Sequence, residues 1–325
     1  MSEPSGESDH AAAEQLRDRF RGMLLGLALG DALGAAVQHR RPGTFSRVGD
    51  LLGGGPYDLP RGAWSDDAAT ALLCADSVID CGALQLGDVM DRWDRWRRNG
   101  LGSSTGRCLG ISAAMAAALS PAGSAVADRV VDAEPFPRAA VVAAFEFSEP
   151  SGAAGAARAL ANLTHTSPTV LDATGAYALA IVAALHGTPS HALMDDDPRI
   201  TAMTSPEWMP TVTAVRAAVR LQASNVADVP PSGGDALGML SLVYHATRNT
   251  QSYKEAVLVA VNTGRSSDVA GAATGALAGA LYGAHSLPPH WLAALIDRSV
   301  IEACADRLLV AALTRLMEEP PGQSA

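Results

Sequence analysis

The 325-residue chain sets 24 Lys and Arg against 34 Asp and Glu, a formal charge of −10 with no basic run, which argues against a nucleic acid or an anionic membrane surface as its main partner. With 48% apolar residues it can build one large or two small cores, and Cys74, Cys81, Cys108 and Cys304 show neither CxxC nor Cys/His zinc spacing, as expected of reduced thiols. No basic region leads into an apolar segment and cleavage site at the N-terminus, so the expected location is cytoplasmic.

Residues 1–13 are polar and lack an apolar face, so they read as a disordered tail, as do residues 318–325; residues 14–317 contain no obvious linker and read as the folded domain. Residues 21–34, RGMLLGLALGDALG, space Gly22, Gly26, Gly30 and Gly34 four apart around a single acid, Asp31, which makes a nearly bare stripe on a helix. Glycine inside a helix costs roughly 1 kcal/mol relative to alanine, so four in register predict a tightly packed, central helix. Next comes Trp64-Ser65-Asp66-Asp67-Ala68, followed by ATALLCADSVID, in which Leu72, Leu73, Val78 and Ile79 form a helical apolar face. Ser65 suits an N-cap and Asp66 and Asp67 the first turn, where unpaired amides and the helix dipole favour carboxylates. Such a start is either a solvated acidic helix end or part of an oxygen ligand set for a hard cation such as Mg²⁺ or Mn²⁺.

Residues 92–100, RWDRWRRNG, are the only basic aromatic cluster; Trp93 and Trp96 are expected to face the core while the arginines are solvated. The isolated His165 reads first as a structural donor. Residues 262–283, NTGRSSDVAGAATGALAGALYG, repeat the earlier theme: Ser266 suits an N-cap, Ser267 and Asp268 the first turn, and Gly271, Gly275, Gly279 and Gly283 a second stripe. The apolar part of this helix is shorter than the roughly 18–20 residues of a membrane span and predicts a buried core helix. Long helical periodicities, abundant alanine and leucine, and the lack of a convincing alternating β-branched run predict an all-α fold. Similar glycine helices at both ends favour one closed domain.

These motifs, in this order, resemble the ADP-ribosylglycohydrolases. The resemblance rests on Gly30-Asp31-Ala32-Leu33-Gly34, on Ser65-Asp66-Asp67-Ala68, on the segment from Ser103 to Cys108, on Leu163-Thr164-His165, and on Gly264 through the small-residue helix to Trp291. It covers roughly residues 20–295 and is poorest at 120–160 and 187–235. It implies an orthogonal all-α bundle that cleaves a ribosyl glycosidic bond of an ADP-ribosylated protein or an NAD-derived metabolite, with Mg²⁺ or Mn²⁺ between the two acidic helix starts. Metal would hold the ribose diol and orient water while carboxylates stabilise an oxocarbenium-like sugar. Carried over by motif, Asp66 and Asp67 are the catalytic residues, and Ser65, Asp66, Asp67, Asp268 and Ser266 the metal ligands. Asp31, Gln38, Ser103, Ser104, Thr105, Gly106, His165 and Gly264 are expected on the substrate, with Ser103–Gly106 on its phosphate side.

The chain departs from the family pattern where it matters most. Ser266 stands for an aspartate and Val269 for a threonine of the second metal motif, Ala68 removes a hydroxyl from the first, and Gln38 stands where many relatives carry glutamate. One metal site is therefore expected rather than two. The alternatives are a pseudoenzyme that binds ADP-ribose or a related nucleotide as a regulator, and a purely structural bundle.

Overall fold

The two glycine stripes meet face to face. In a computed structural model that describes residues 6–120, 130–193, 213, 217 and 235–318, helices α1 (Gly6–Gly34), α2 (Asp66–Cys81), α3 (Leu86–Asn99), α4 (Ala113–Ala118), α5 (Pro135–Phe145) and α6 (Pro150–Ala161) form the first half of the fold. Helices α7 (Pro168–Leu185), α8 (Ala236–Arg248), α9 (Tyr253–Val261), α10 (Ser267–Tyr282), α11 (Pro289–Ala294) and α12 (Arg298–Glu318) form the second, and no strand occurs among the described residues. The all-α expectation therefore holds.

Helices α1 and α10 run antiparallel along their whole shared length. A Cβ on Gly22, Gly26, Gly30 or Gly34 would collide with the main-chain oxygen of Gly279, Gly275, Gly271 or Ser267 respectively, and a Cβ on Gly271, Gly275 or Gly279 would strike the facing α1 carbonyl in return. Backbone touches backbone, which is why seven positions exclude a side chain; Cα–H···O contacts of this kind recur at close helix interfaces. Gly283 instead ends α10 with φ +78°. Tyr253 of α9 donates its hydroxyl to Gly26 O (2.8 Å), and Tyr177 of α7 to Ala273 O (2.8 Å). These bonds clamp the pair from two sides.

Around that pair the remaining helices close one large apolar core, with Ala35, Leu59 and Ala63 forming a small second cluster. Every residue of α5 is buried, α10 packs against α5, α7, α8 and α9 as well as α1, and Phe136 stacks on Tyr177 with ring centroids 4.9 Å apart. Helices apolar on all sides belong inside a protein of this size. Two of them, α1 and α7, contain windows long and apolar enough to cross a membrane, but 89% and 78% of those windows are buried against the other helices. Trp93 and Trp96 of α3 are buried as expected, while Arg92 pairs with Asp80 and Asp88, and Arg97 and Arg98 pair with Asp94. The last helix returns across the first: Arg17 and Arg21 of α1 both reach Asp306 of α12. Cys74 and Cys304 are buried, Cys108 half-buried and Cys81 exposed, all as free thiols.

Helix α1 starts at Gly6, inside the segment expected to be a disordered tail, although residues 9–13 are exposed. An alanine-rich run propagates a helix once its next turns are packed. Of the other expected tail, α12 extends to Glu318, and residues 319–325, like residues 1–5, lie outside the described residues.

Candidate functional site

The antiparallel register brings the end of α1 to the start of α10, and α2 begins at the same place. Asp31, fully buried near the end of α1, accepts from Ser65 N at 3.0 Å, Ser65 Oγ at 2.6 Å and Ala68 N at 2.9 Å. It satisfies first-turn amides of α2 that Ser65, whose side chain makes no capping bond, leaves open. Burial lifts the Asp31 carboxyl to about 6 in spite of the bonds from Ser65 and Ala68. One acid of the first helix thus orients the acidic turn of the second.

That turn carries Asp66 and Asp67, both buried, and α10 presents Asp268, also buried, from its own first turn. Burial, then the charges of Asp268, Asp31 and Glu134, push Asp66 well above the ordinary carboxylate range; burial, then Asp66, Asp268, Asp31 and Glu134, do the same to Asp67. Asp268 is lifted to about 7, first by burial and then by Asp31. Burial, Asp66 and Asp268 together also raise the Tyr57 hydroxyl. Asp66 Oδ1, Asp67 Oδ2 and Gln38 Oε1 are buried and have no hydrogen-bond partner. Buried oxygens of this kind are costly unless something donates to them or coordinates them.

Asp66, Asp268, Ser266, Val269 and Gln38 line a cavity of about 260 Å³. Gln38 donates Nε2 to Asp268 Oδ2 and so turns Oε1 away from that carboxylate. His39 and Tyr57 also line the cavity, as does Gly110 with φ +85°, where a Cβ would overlap the Asp66 carboxylate. Asp132, Glu134 and Asp235 line the same cavity. Asp132 Oδ1 meets His165 Nε2 at 3.0 Å, His165 Nδ1 meets Thr164 Oγ1 at 2.8 Å, and Arg138, buried over the Trp93 ring, donates to Thr164 Oγ1 and to Glu134 Oε1. Ser112 Oγ donates to Glu134 Oε2 at 2.5 Å.

Not every residue expected at the site reaches it. Asp66, Asp268, Ser266 and Gln38 line the cavity, while Ser65 and Asp67 flank Asp66 at the start of α2 without lining it. Asp31 lies behind the α2 turn and acts through it rather than on a ligand. The segment Ser103–Gly106 does not line this cavity: Ser104 Oγ donates to Trp64 O (2.6 Å) and accepts from Trp64 N (3.2 Å), and Ser103 Oγ donates to Arg107 O. It staples the residue before Ser65 in place, and Ser103 opens instead onto a separate apolar cavity beside α12. His165 is fully buried and faces the site only through Asp132. Gly264, at φ +66°, passes against Arg40 O where a Cβ would not fit, and the adjoining turn is tied by His39 N to Arg265 O and Arg265 N to Arg40 O, each 2.7 Å. Its role is to shape the turn before α10.

Tyr57, Gly110, Ser112, Asp132, Glu134 and Asp235 escaped sequence reasoning. The sole signal was Asp132-Ala133-Glu134 ahead of Pro135, which is helix-start chemistry.

The acids at the two helix starts suit a hard divalent cation, because their oxygens are close enough to repel one another and three buried oxygens stand unpartnered. Val269 offers no donor and Ser266 only a neutral one, so the donor set fits one cation better than two. A second group, Asp132, Glu134 and His165, has ligand atoms within 4.8 Å of one another. It suits a cation poorly, since both His165 nitrogens and both Glu134 oxygens are already hydrogen-bonded and the Arg138 cation adjoins them.

Comparison with known proteins places the geometry. Residues 12–318 match the family model described as ADP-ribosylglycohydrolase. The chain is 29% identical over 310 residues to an ADP-ribosylarginine hydrolase Tri1 of Serratia proteamaculans (strain 568), covering 90% of this chain and 79% of that one. It is 29% identical over 311 residues to the protein of the same name from Pseudomonas putida (strain GB-1), covering 91% and 79%. A solved structure titled "ADP-ribosylglycohydrolase-related protein complex" superposes with a TM-score of 0.75 at 33% identity, over 92% of this chain and 99% of that one.

Proposed function

The chain belongs to the ADP-ribosylglycohydrolase family, whose members are metal-dependent hydrolases of ADP-ribosyl glycosidic bonds, and from that premise we propose that its acidic cavity cleaves the ribosyl bond of an ADP-ribosylated arginine with one divalent cation. The observation that carries the reading is the gathering of three buried, mutually repelling acids at two helix starts: Asp66 and Asp268 line a cavity, Asp67 sits beside Asp66, and Asp66 Oδ1 and Asp67 Oδ2 have no partner. Arginine as the leaving group is supported by the names of the relatives from Serratia proteamaculans and Pseudomonas putida.

Asp66, Asp67 and Asp268 would hold the cation, Mg²⁺ or Mn²⁺, with the Ser65 hydroxyl and, more weakly, Ser266 and the Gln38 amide oxygen beside them. When bound, such a cation binds sugar hydroxyls and lowers the pKa of water. The residues of the chain supply the rest. Asp31 fixes the α2 turn, so the Asp66 and Asp67 carboxylates are held before a ligand arrives. Asp66, which lines the cavity, would accept a proton from an attacking water and stabilise positive charge on the sugar ring. Gln38 holds the Asp268 rotamer without adding a charge of its own.

The test is release of ADP-ribose from an ADP-ribosylated arginine substrate with Mg²⁺ or Mn²⁺ present. Asp67→Asn and Asp268→Asn are each expected to reduce turnover at least about 100-fold, in line with loss of a preorganised charged group; full turnover in both variants would refute the metal assignment. The neutral donors in the second motif favour one other reading, a protein that binds the nucleotide as a regulator and turns it over slowly. Tight binding of ADP-ribose by a wild-type protein that releases no product is its signature.

A further inference from the structure

Helix α12 is apolar on its outer side as well as its inner one. The inner face, with Ile301, Ala305, Leu308, Leu309 and Ala312, is buried in the core. Yet five of the seven large apolar side chains that are exposed among the described residues also belong to this helix: Val300, Val310, Leu313, Leu316 and Met317. From Ser299 to Met317, Arg307 is the single charged residue at its exposed positions. A helix apolar all round is ordinarily covered on every side, and a contiguous exposed apolar face marks an interaction surface.

The exposed side has a period of its own. Val300, Ala303, Arg307, Val310, Thr314 and Met317, all exposed, follow one another at steps of 3, 4, 3, 4 and 3 residues, the a/d spacing of a coiled-coil seam with one charged residue near its middle. A seam of this kind is read by another helix. It also matches itself, because the steps are the same in both directions. Laid antiparallel on a second copy, Val300 meets Met317, Ala303 meets Thr314 and Arg307 meets Val310, so every seam position finds its partner within the same set.

Charge and area both suit that occupant. Arg307 pairs with Asp76 and Asp80 of α2 at 3.2 and 2.9 Å, so its charge is balanced within its own chain, and the antiparallel arrangement sets it against Val310, whereas a parallel pair would set arginine on arginine. Residues of α2 and α12 together line two cavities, of about 430 Å³ and about 540 Å³, and Arg307 borders both. Met317, 86% exposed, comes opposite Val300 of the other copy, which lines the first of them. A seam of 17 residues is about 26 Å long, and with α2 beside it two helix widths give roughly 500 Å² per copy and about 1,000 Å² in all, the lower end for a specific protein interface.

We propose that α12 is a dimerisation helix: two copies of this chain pair through its outer seam, antiparallel, about a two-fold axis that passes between Arg307 and Val310. No residue of α12 lines the acidic cavity, so the proposal stands apart from the reading of that cavity as a hydrolase site.

The test follows the full chain by sedimentation velocity at high ionic strength, which screens the −10 charge on each copy. A Kd on the order of 10 μM is expected for an interface of this size, so the protein is run from about 1 to about 500 μM. Val310→Glu should weaken pairing at least about 100-fold, because a two-fold interface takes the substitution twice, and should leave the melting temperature of dilute protein unchanged. Met317→Glu repeats the measurement if Val310→Glu disturbs folding. Register is tested in a Cys81→Ser background, which removes the exposed native thiol. V300C and M317C, about 26 Å apart along one helix, should form an intermolecular disulfide when the two variants are mixed under mild oxidation, and neither should link to itself. A wild type that stays monomeric over the whole range overturns the proposal and gives the face to another cover. So does a dimer that Val310→Glu and Met317→Glu leave intact, a mixture that forms no disulfide, or a variant that links to itself.

Discussion

Removing divalent cations should make this protein more stable in mild acid than at neutral pH, the reverse of ordinary behaviour. Asp268 is lifted from 3.8 to about 7 and Asp31 from 3.8 to about 6. A carboxyl with a folded-state pKa above its unfolded value binds more protons when folded, so its stabilising contribution is complete below about pH 4 and is lost as pH rises through 6 to 7. A displacement of about three pH units corresponds to roughly 4 kcal/mol, and one of about two to roughly 3 kcal/mol. The two acids are coupled, so the sum is smaller than the parts and a few kcal/mol is the working figure. At roughly 2–4 °C per kcal/mol for a large domain, the melting temperature of chelated protein should rise on the order of 10 °C between pH 8 and pH 5. Carboxylates held down by arginines, such as Asp306 and Asp94, lose their contribution only at lower pH, which leaves this window clear. The assay is a thermal melt across pH with chelator, then with Mn²⁺ or Mg²⁺. Added cation should stabilise the protein at pH 8 by about 3 kcal/mol at a hundredfold excess over Kd and flatten the pH profile. Asp268→Asn should melt higher than wild type in chelator at pH 8 and lose the cation response. A chelated wild type whose melting temperature is flat or falls from pH 8 to pH 5 would refute the reasoning.

Three further outcomes follow from the fold. Gly275→Ala, which pushes a Cβ into Gly26 O, should destabilise by about 1–3 kcal/mol or more despite alanine's better helix propensity, whereas Gly155→Ala, with open space around its Cβ position, should be neutral or stabilising in the same denaturant titration. Arg138→Met, which strands Glu134 and Thr164 in the interior, should cost on the order of 3–5 kcal/mol in urea unfolding. Ser104→Ala should lower stability by about 1 kcal/mol through loss of the Trp64 staple and leave ADP-ribose affinity unchanged in calorimetry; a large affinity loss would return that turn to the binding site.

How much of the site could be read in the sequence depended on how local its causes are. Asp66-Asp67 after Ser65 and Asp268 after Ser266 were legible because helix starts have a short-range signature, and the resemblance then paired them. Ser103–Gly106 misled because a polar turn next to a helix looks the same whether it faces a ligand or a tryptophan carbonyl. Asp132 and Glu134 were passed over because only the fold brings the turn before α5 to the cavity that Asp66 lines. Gln38 was legible as a departure from the family, but its bond to Asp268, 230 residues away, was not.

By itself the sequence determined the all-α class, the two glycine stripes and the acids at the two helix starts, because periodicity, capping and backbone exposure are set by neighbours three or four residues apart. Only the tertiary structure decided that the stripes interlock with each other, that Asp31 caps another helix and does not line the cavity, and that Asp132, Glu134 and Asp235 line it together with Asp66 and Asp268. Those depend on register between distant segments, and the electrostatics of a buried acid is fixed by which charges the fold brings beside it.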